Sequence, residues 1–333
     1  MTVGTLAERV RNRAGRDAFG EALQLIGREN DAVVVVGADD ISSLRGNAFA
    51  AEFPDRAFNV GIAEANASGV AAGLALGGKI PLVLLYGFTV LRAAEQIRDD
   101  VCYPNLNVKV VTTSSGLVMG EGGVTHHCTE DLAVTRSLAN MTIVQPASAL
   151  ETAIVTKAVV ERLKGPTFLR IARCRYEDRA EQALQDYYLG GGAFEVGKAV
   201  TLREGDDITL IASGLMLSIA LHAADLLAES GVSARVMNMH TIKPLDSAAV
   251  IDGVTQTRGI VTLEDHNVLG GIGEAVCGVV SETRPIPVRR IGVRDTYCAI
   301  GPMDELFEKY GLTAEATVEA AKEILAGGSR GSR

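Results

Sequence analysis

Ala32-Val-Val-Val-Val-Gly37 decides how this chain of 333 residues folds. Four consecutive valines closed by a glycine make a strand that is apolar on both faces, and such strands belong in parallel sheets covered by helices on either side. Working outward, Asp17 to Glu29 has helical spacing in Phe19, Leu23 and Ile26, while Ile80–Leu85, Val108–Thr113, Met141–Val144 and Pro166–Ile171 read as further buried strands. Helices are expected at Leu91–Val101, Glu130–Leu138 and Ala147–Leu163. The alternation implies right-handed crossovers and a doubly wound α/β fold. Between Arg173 and Gly192 the composition turns to charged residues, tyrosine and Gly190-Gly-Gly192, read as a linker. Strand and helix then alternate again through Ile208–Ala212, Leu217–Glu229, Ala234–Asn238, Gly259–Leu263, Ile272–Val280 and Val288–Ile291. The expected division is a first α/β domain over 1–175, a linker over 176–192, a smaller α/β domain over 193–326 and a disordered tail over 327–333.

Composition excludes several classes of partner. The net charge is −9, with no basic stripe interleaved with aromatics, so neither nucleic acid nor an anionic membrane suits this surface. No stretch approaches the roughly 20 apolar residues that span a bilayer, and Met1–Arg13 lacks the apolar run of a signal peptide. The five cysteines are scattered without a Cys-x-x-Cys pair and read as reduced thiols, which suits the cytoplasm.

Chemistry concentrates in two stretches. Phe58-Asn-Val-Gly-Ile-Ala-Glu-Ala-Asn-Ala-Ser-Gly-Val-Ala-Ala-Gly-Leu-Ala-Leu76 holds a single charge, Glu64, at the start of a helix of small and apolar residues. The helix dipole favours an acid there. A helix with no polar face should be buried, so its lone carboxylate is either paired or working. The second stretch, Gly116 to Thr129, is a glycine-rich loop with His126 and His127. A metal reading of His126-His127-Cys128 fails, because three consecutive residues do not converge on one ion without an unusual turn. Substrate contact suits the loop better, since open α/β sheets bind ligands at the carboxyl ends of their strands. Glu121-Gly-Gly123 is no phosphate loop, for no Lys-Ser/Thr follows, and Gly270-Gly-Ile-Gly273 reads as helix–strand packing. Arg170, Arg173 and Arg175 follow a buried strand, where arginine suits a phosphate or carboxylate.

Phe58-Asn-Val-Gly-Ile-Ala-Glu-Ala-Asn66, Ala94-Glu-Gln-Ile-Arg98, Gly123-Val-Thr-His-His127 and Leu138-Ala-Asn-Met-Thr-Ile-Val144 resemble the pyrimidine-binding domain of transketolases. Thr241-Ile-Lys-Pro-Leu-Asp246, Thr262-Leu-Glu-Asp-His-Asn-Val-Leu-Gly-Gly271 and Lys309-Tyr-Gly-Leu312 resemble the transketolase C-terminal domain. The chain is thus similar to the stand-alone C-terminal subunit of a split transketolase, which transfers a two-carbon ketol unit from a ketose to an aldose with thiamine diphosphate. The resemblance implies that Glu64 hydrogen-bonds N1′ of the aminopyrimidine and favours the imino tautomer that takes the thiazolium C2 proton. It implies that His126 lies near the reacting carbons, that Phe88 or Tyr86 stacks on the pyrimidine with Ile62 beside the cofactor, and that Arg173, Ser43, Arg16, Ser114 and His127 contact substrate. Transketolases hold Mg²⁺ through a Gly-Asp-Gly motif, and none occurs in this sequence. A partner subunit carrying that motif and the Mg²⁺, in an α2β2 assembly, is therefore expected.

Two rivals share these features: the β subunit of a 2-oxo acid dehydrogenase, and a non-catalytic pairing paralogue. The Thr-His-His loop and Thr-Ile-Lys-Pro favour transketolase, and retention of a costly buried acid at Glu64 argues against an inactive chain. Two positions depart from the transketolase pattern, Ser114 in place of His and Gly122 in place of Asp. They point to a non-standard donor or acceptor: an unphosphorylated or modified sugar, or pyruvate.

Overall fold

The computed structural model describes residues 2–327. Its strands in chain order are β1 (Val33–Gly37), β2 (Ala57–Asn59), β3 (Ile80–Tyr86), β4 (Lys109–Thr113), β5 (Thr142–Val144), β6 (Thr167–Arg170), β7 (Val200–Arg203), β8 (Ile208–Ala212), β9 (Ala234–Asn238), β10 (Thr241–Lys243), β11 (Ile260–Asn267) and β12 (Val288–Val293). They form a seven-stranded sheet in the order β10-β5-β6-β4-β3-β1-β2 and a five-stranded sheet in the order β12-β11-β8-β9-β7. Each sheet is parallel except for one edge strand, β10 against β5 and β7 against β9. The valines of β1 are buried on both faces, between β2 and β3. The α/β reading of both halves holds.

Three expectations change. The stretch 176–192, read as a linker, contains the helix Asp178–Leu189, whose Ala180, Leu184 and Tyr188 are buried. Their spacing of four makes an inward stripe that the surrounding charges mask. Tyr188 donates its hydroxyl to the buried Glu151 at 2.8 Å, and Asn238 Nδ2 donates to the same oxygen at 2.8 Å, so the two halves meet through this helix. Second, Thr241-Ile-Lys243 belongs by sequence to the second half but completes the first sheet, with Lys243 Nζ donating to Arg136 O at 2.8 Å. Third, the Glu64–Leu76 helix is covered on one side only. Glu64, Ala67, Ser68, Ala71 and Ala72 are buried, whereas Leu76 is 75% exposed and a Cβ on Gly73 would meet nothing. Of the expected tail, residues 328–333 lie outside the described part, and Gly327 ends the last helix.

Gly270–Gly273 does the packing work expected of it. Glu264 accepts from Ile272 N at 2.8 Å and Gly273 N at 3.1 Å, capping the helix Ile272–Thr283. A Cβ on Gly271 would lie 1.7 Å from that carboxylate, so no side chain fits there.

Candidate active site

The carboxyl ends of β1, β3, β4 and β6 lie side by side in the first sheet, and each delivers part of one cluster. β1 ends in Asp39, Asp40 and the turn to Ser43. β3 ends in Tyr86-Gly87-Phe88, β4 runs into Ser114 and the histidine loop, and β6 leads to Arg170 and Arg173. The Tyr86 and Phe88 rings stack at 5.4 Å and 16°, and Phe88 meets the His126 imidazole at 5.0 Å. Ser43 Oγ is hydrogen-bonded to the Tyr86 hydroxyl. One continuous row therefore runs Ser43, Tyr86, Phe88, His126.

A second row is cationic. Arg173 Nη1 donates to Ser114 Oγ at 3.5 Å. Burial, followed by the nearby charges of Arg173 and Arg45, holds the Arg16 guanidinium below its usual pKa, and its buried Nε has no partner. Like charges gathered beside an unpaired donor make a receptor for an anion. Ser114 sits at φ +62°, a conformation uncommon for a serine and often found where a site fixes its side chain.

Glu64 begins its helix with 9% of its side chain exposed, and its Oε1 accepts from Arg92 Nη1 at 3.0 Å. The acid is therefore paired. Arg92 lies on the helix Val90–Gln96 that directly follows the turn carrying Phe88, so Glu64 is tied to the same stretch of chain as the aromatic row. The two histidines diverge. His126 Nδ1 bonds Thr125 Oγ1 at 3.0 Å, while His127 is buried and its Nε2 donates to Gly120 O at 3.2 Å. His127 is thus turned into the loop, and Ile62, 76% exposed on the turn before the helix, stands outside the row. Among the described residues no group of three or more His, Cys, Asp or Glu side chains could hold a metal ion.

Sequence reasoning passed over Arg92 and Asp40. Asp40 Oδ1 accepts from Ala38 N at 2.9 Å, and burial, with the charge of Glu64 adding to it, pushes its carboxyl up to about 6. An Asp-Asp pair directly after a buried parallel strand was the available signal. Arg92 left none, because only the fold brings it to Glu64.

A family model for the transketolase pyrimidine-binding domain matches residues 11–178, and one for the transketolase C-terminal domain matches residues 197–317. The chain belongs to the transketolase family. It is 37% identical over 310 residues to the 6-deoxy-6-sulfo-D-fructose transketolase subunit SqwH of a Clostridium species, covering 93% of this chain and 94% of that protein. It is 36% identical over 315 residues to an apulose-4-phosphate transketolase subunit of Phocaeicola vulgatus, covering 94% of this chain and 97% of that one. Among solved structures, a split-gene transketolase described as an inactive beta4 tetramer superimposes with a TM-score of 0.83 at 40% identity, covering 94% of this chain and 98% of that one. Both domains and these subunit-sized relatives make this transketolase chain a pyrimidine-binding subunit of the split type, and favour that reading over a 2-oxo acid dehydrogenase β subunit.

Proposed function

We propose that this split-transketolase subunit supplies the aminopyrimidine side of a thiamine diphosphate site, and that its assembly with a second subunit moves a two-carbon unit from a ketose or related donor to an aldose. The observation that carries this reading is the buried Glu64 carboxylate at a helix start, bound by Arg92 from the helix that directly follows the Tyr86–Phe88 turn, with Phe88 in turn against His126. A flat heterocycle with a ring nitrogen to be hydrogen-bonded fits that pairing of acid and aromatic face. Bound thiamine diphosphate would supply the carbanion chemistry. Glu64 would hold the ring nitrogen, exchanging its contact with Arg92, whose 61% exposed side chain is free to swing. Phe88 and Tyr86 would stack on the ring. His126 would move protons near the reacting carbons, while Arg173, Arg16, Ser114 and Ser43 would take the anionic end of a substrate. His127 would act from beneath, by setting the loop, and Ile62 would close the cofactor edge only once a partner covers it.

The Mg²⁺ and the diphosphate would be held by that partner through Gly-Asp-Gly, in an α2β2 assembly in the cytoplasm. The open apolar side of the Glu64–Leu76 helix supports such a contact. The proposed units are 1–175 and 193–326, joined through the helix Asp178–Leu189. Substrate choice rests on Ser114 and Gly122. A Cβ on Gly122 would stand 2.7 Å from His126 Cβ, so an acid at that position is incompatible with the present histidine geometry. A modified sugar is favoured, a reading supported by relatives named for 6-deoxy-6-sulfo-D-fructose and apulose 4-phosphate. The test is kcat/KM of the reconstituted assembly for xylulose 5-phosphate against sulfonated or unphosphorylated ketoses and pyruvate. Clear preference for xylulose 5-phosphate would refute the substrate reading, and no two-carbon transfer from any donor would refute the activity.

A further inference from the structure

The loop with His126 and His127 is pinned at its base by the other half of the chain. Gly116 and Cys128 close it with a pair of backbone bonds, Gly116 N to Cys128 O at 2.6 Å and Cys128 N to Gly116 O at 3.0 Å. Just inside the closure, Leu117 N donates to Asp265 Oδ1 at 3.1 Å, and just outside it Asn267 N donates to Thr129 O at 2.9 Å. Asp265 comes from β11, in the second sheet. Pairing of β11 with β12 runs to Leu263–Ile291 and resumes at Asn267–Val293, so Glu264, Asp265 and His266 bulge opposite Gly292 alone. Bulges re-aim side chains. Here the bulge turns Glu264 onto its own helix start and Asp265 across to the loop.

The fit at the loop base is close. Gly116 has φ +67°, and a Cβ there would lie 1.9 Å from Asp265 Oδ2. Arg170 of β6 binds the same place, Nη2 donating to Asp265 O at 2.9 Å and Nε to the buried Asp131 at 2.8 Å. Arg170 is followed three residues later by Arg173 of the anion row. The Asp265 carboxyl is 3% exposed, and its burial is offset by the neighbouring Arg170 charge and by the Leu117 N–H that it holds.

We infer that Asp265 is a positioning residue: from the C-terminal domain, it sets the backbone of the histidine loop for the site on the other sheet. The inference rests on the site assigned above, but its primary readout does not depend on turnover. Hydrogen exchange of the full chain, followed by mass spectrometry, should rise about tenfold over residues 116–128 in Asp265→Ala, the size expected for losing one hydrogen bond to a buried acid. Asp265→Asn keeps an acceptor for Leu117 N and should restore near wild-type exchange. Glu264→Ala, on the same bulge, should loosen 270–276 and leave the loop unchanged. Gly116→Ala attacks the contact from the other side and should open the loop, giving a second handle if Asp265→Ala does not fold. In the reconstituted assembly, Asp265→Ala should lower kcat by about tenfold with KM nearly constant. Unchanged loop exchange in Asp265→Ala, or equal loosening by Glu264→Ala, would overturn the inference. A protected loop in an assembly that transfers nothing would instead indict the activity.

Discussion

Replacing Glu64 by alanine tests the centre of the site, and its two consequences differ in size. For stability, the pair it breaks joins a 9% exposed carboxylate to a 61% exposed guanidinium, and pairs with one partner in solvent are worth about 0–1 kcal/mol. Loss of the first-turn acid removes roughly 0.3–1 kcal/mol of dipole interaction. Alanine suits the helix that follows, so the chain should stay folded and associate as before. For chemistry, removing a group that acts as general acid or base slows the step by roughly 10²- to 10⁴-fold. The assay is hydrogen–deuterium exchange at the thiazolium C2 of thiamine diphosphate in the reconstituted assembly, read beside a thermal melt of the isolated chain. The expected result is exchange slowed at least a hundredfold with a melting temperature within a few degrees of wild type. Exchange within about threefold of wild type would refute the reasoning and leave Glu64 a structural acid.

Gly122→Ala puts a methyl 2.7 Å from His126 Cβ and 2.8 Å from Cγ, so the imidazole must shift; a misplacement near 1 Å costs about a hundredfold in kcat/KM, measurable with the preferred donor. The isolated chain should self-associate through the open side of the Glu64–Leu76 helix and turn over nothing, which sedimentation and a two-carbon transfer assay with and without partner would check. Burial pushes Glu264 up to about 7, against the opposing pull of the Gly273 and Ile272 amides. The native state thus keeps a proton that the unfolded chain has already lost. Its contribution is fully present below the ordinary carboxyl range and disappears as pH rises through about 7. Thermal melts should show Glu264→Gln gaining on wild type from pH 5 to pH 8, and a constant difference across that range would contradict the assignment.

The sequence by itself determined the α/β alternation, the parallel core and the family, because those signals are local. Val33–Val36 needs no partner to declare itself buried on both faces, and Glu64 is conspicuous as the lone charge in an apolar run. Of the residues the structure gathers into two rows, His126 and Arg173 are marked locally, by a glycine-rich loop and by the place after a buried strand, whereas Tyr86, Phe88, Ser114 and Arg16 are singled out only by the transketolase resemblance. Tertiary structure decided what short or charged segments do. Three residues, Thr241–Lys243, carry too little pattern to announce that they complete the other half's sheet. The inward stripe of Asp178–Leu189 is outnumbered by its charges. Arg92 reaches Glu64 across 28 residues, and Asp265 reaches Leu117 across 148. Such pairings leave no mark in local periodicity, because the energy that selects them comes from burial and hydrogen bonds that exist only once the two sheets have packed.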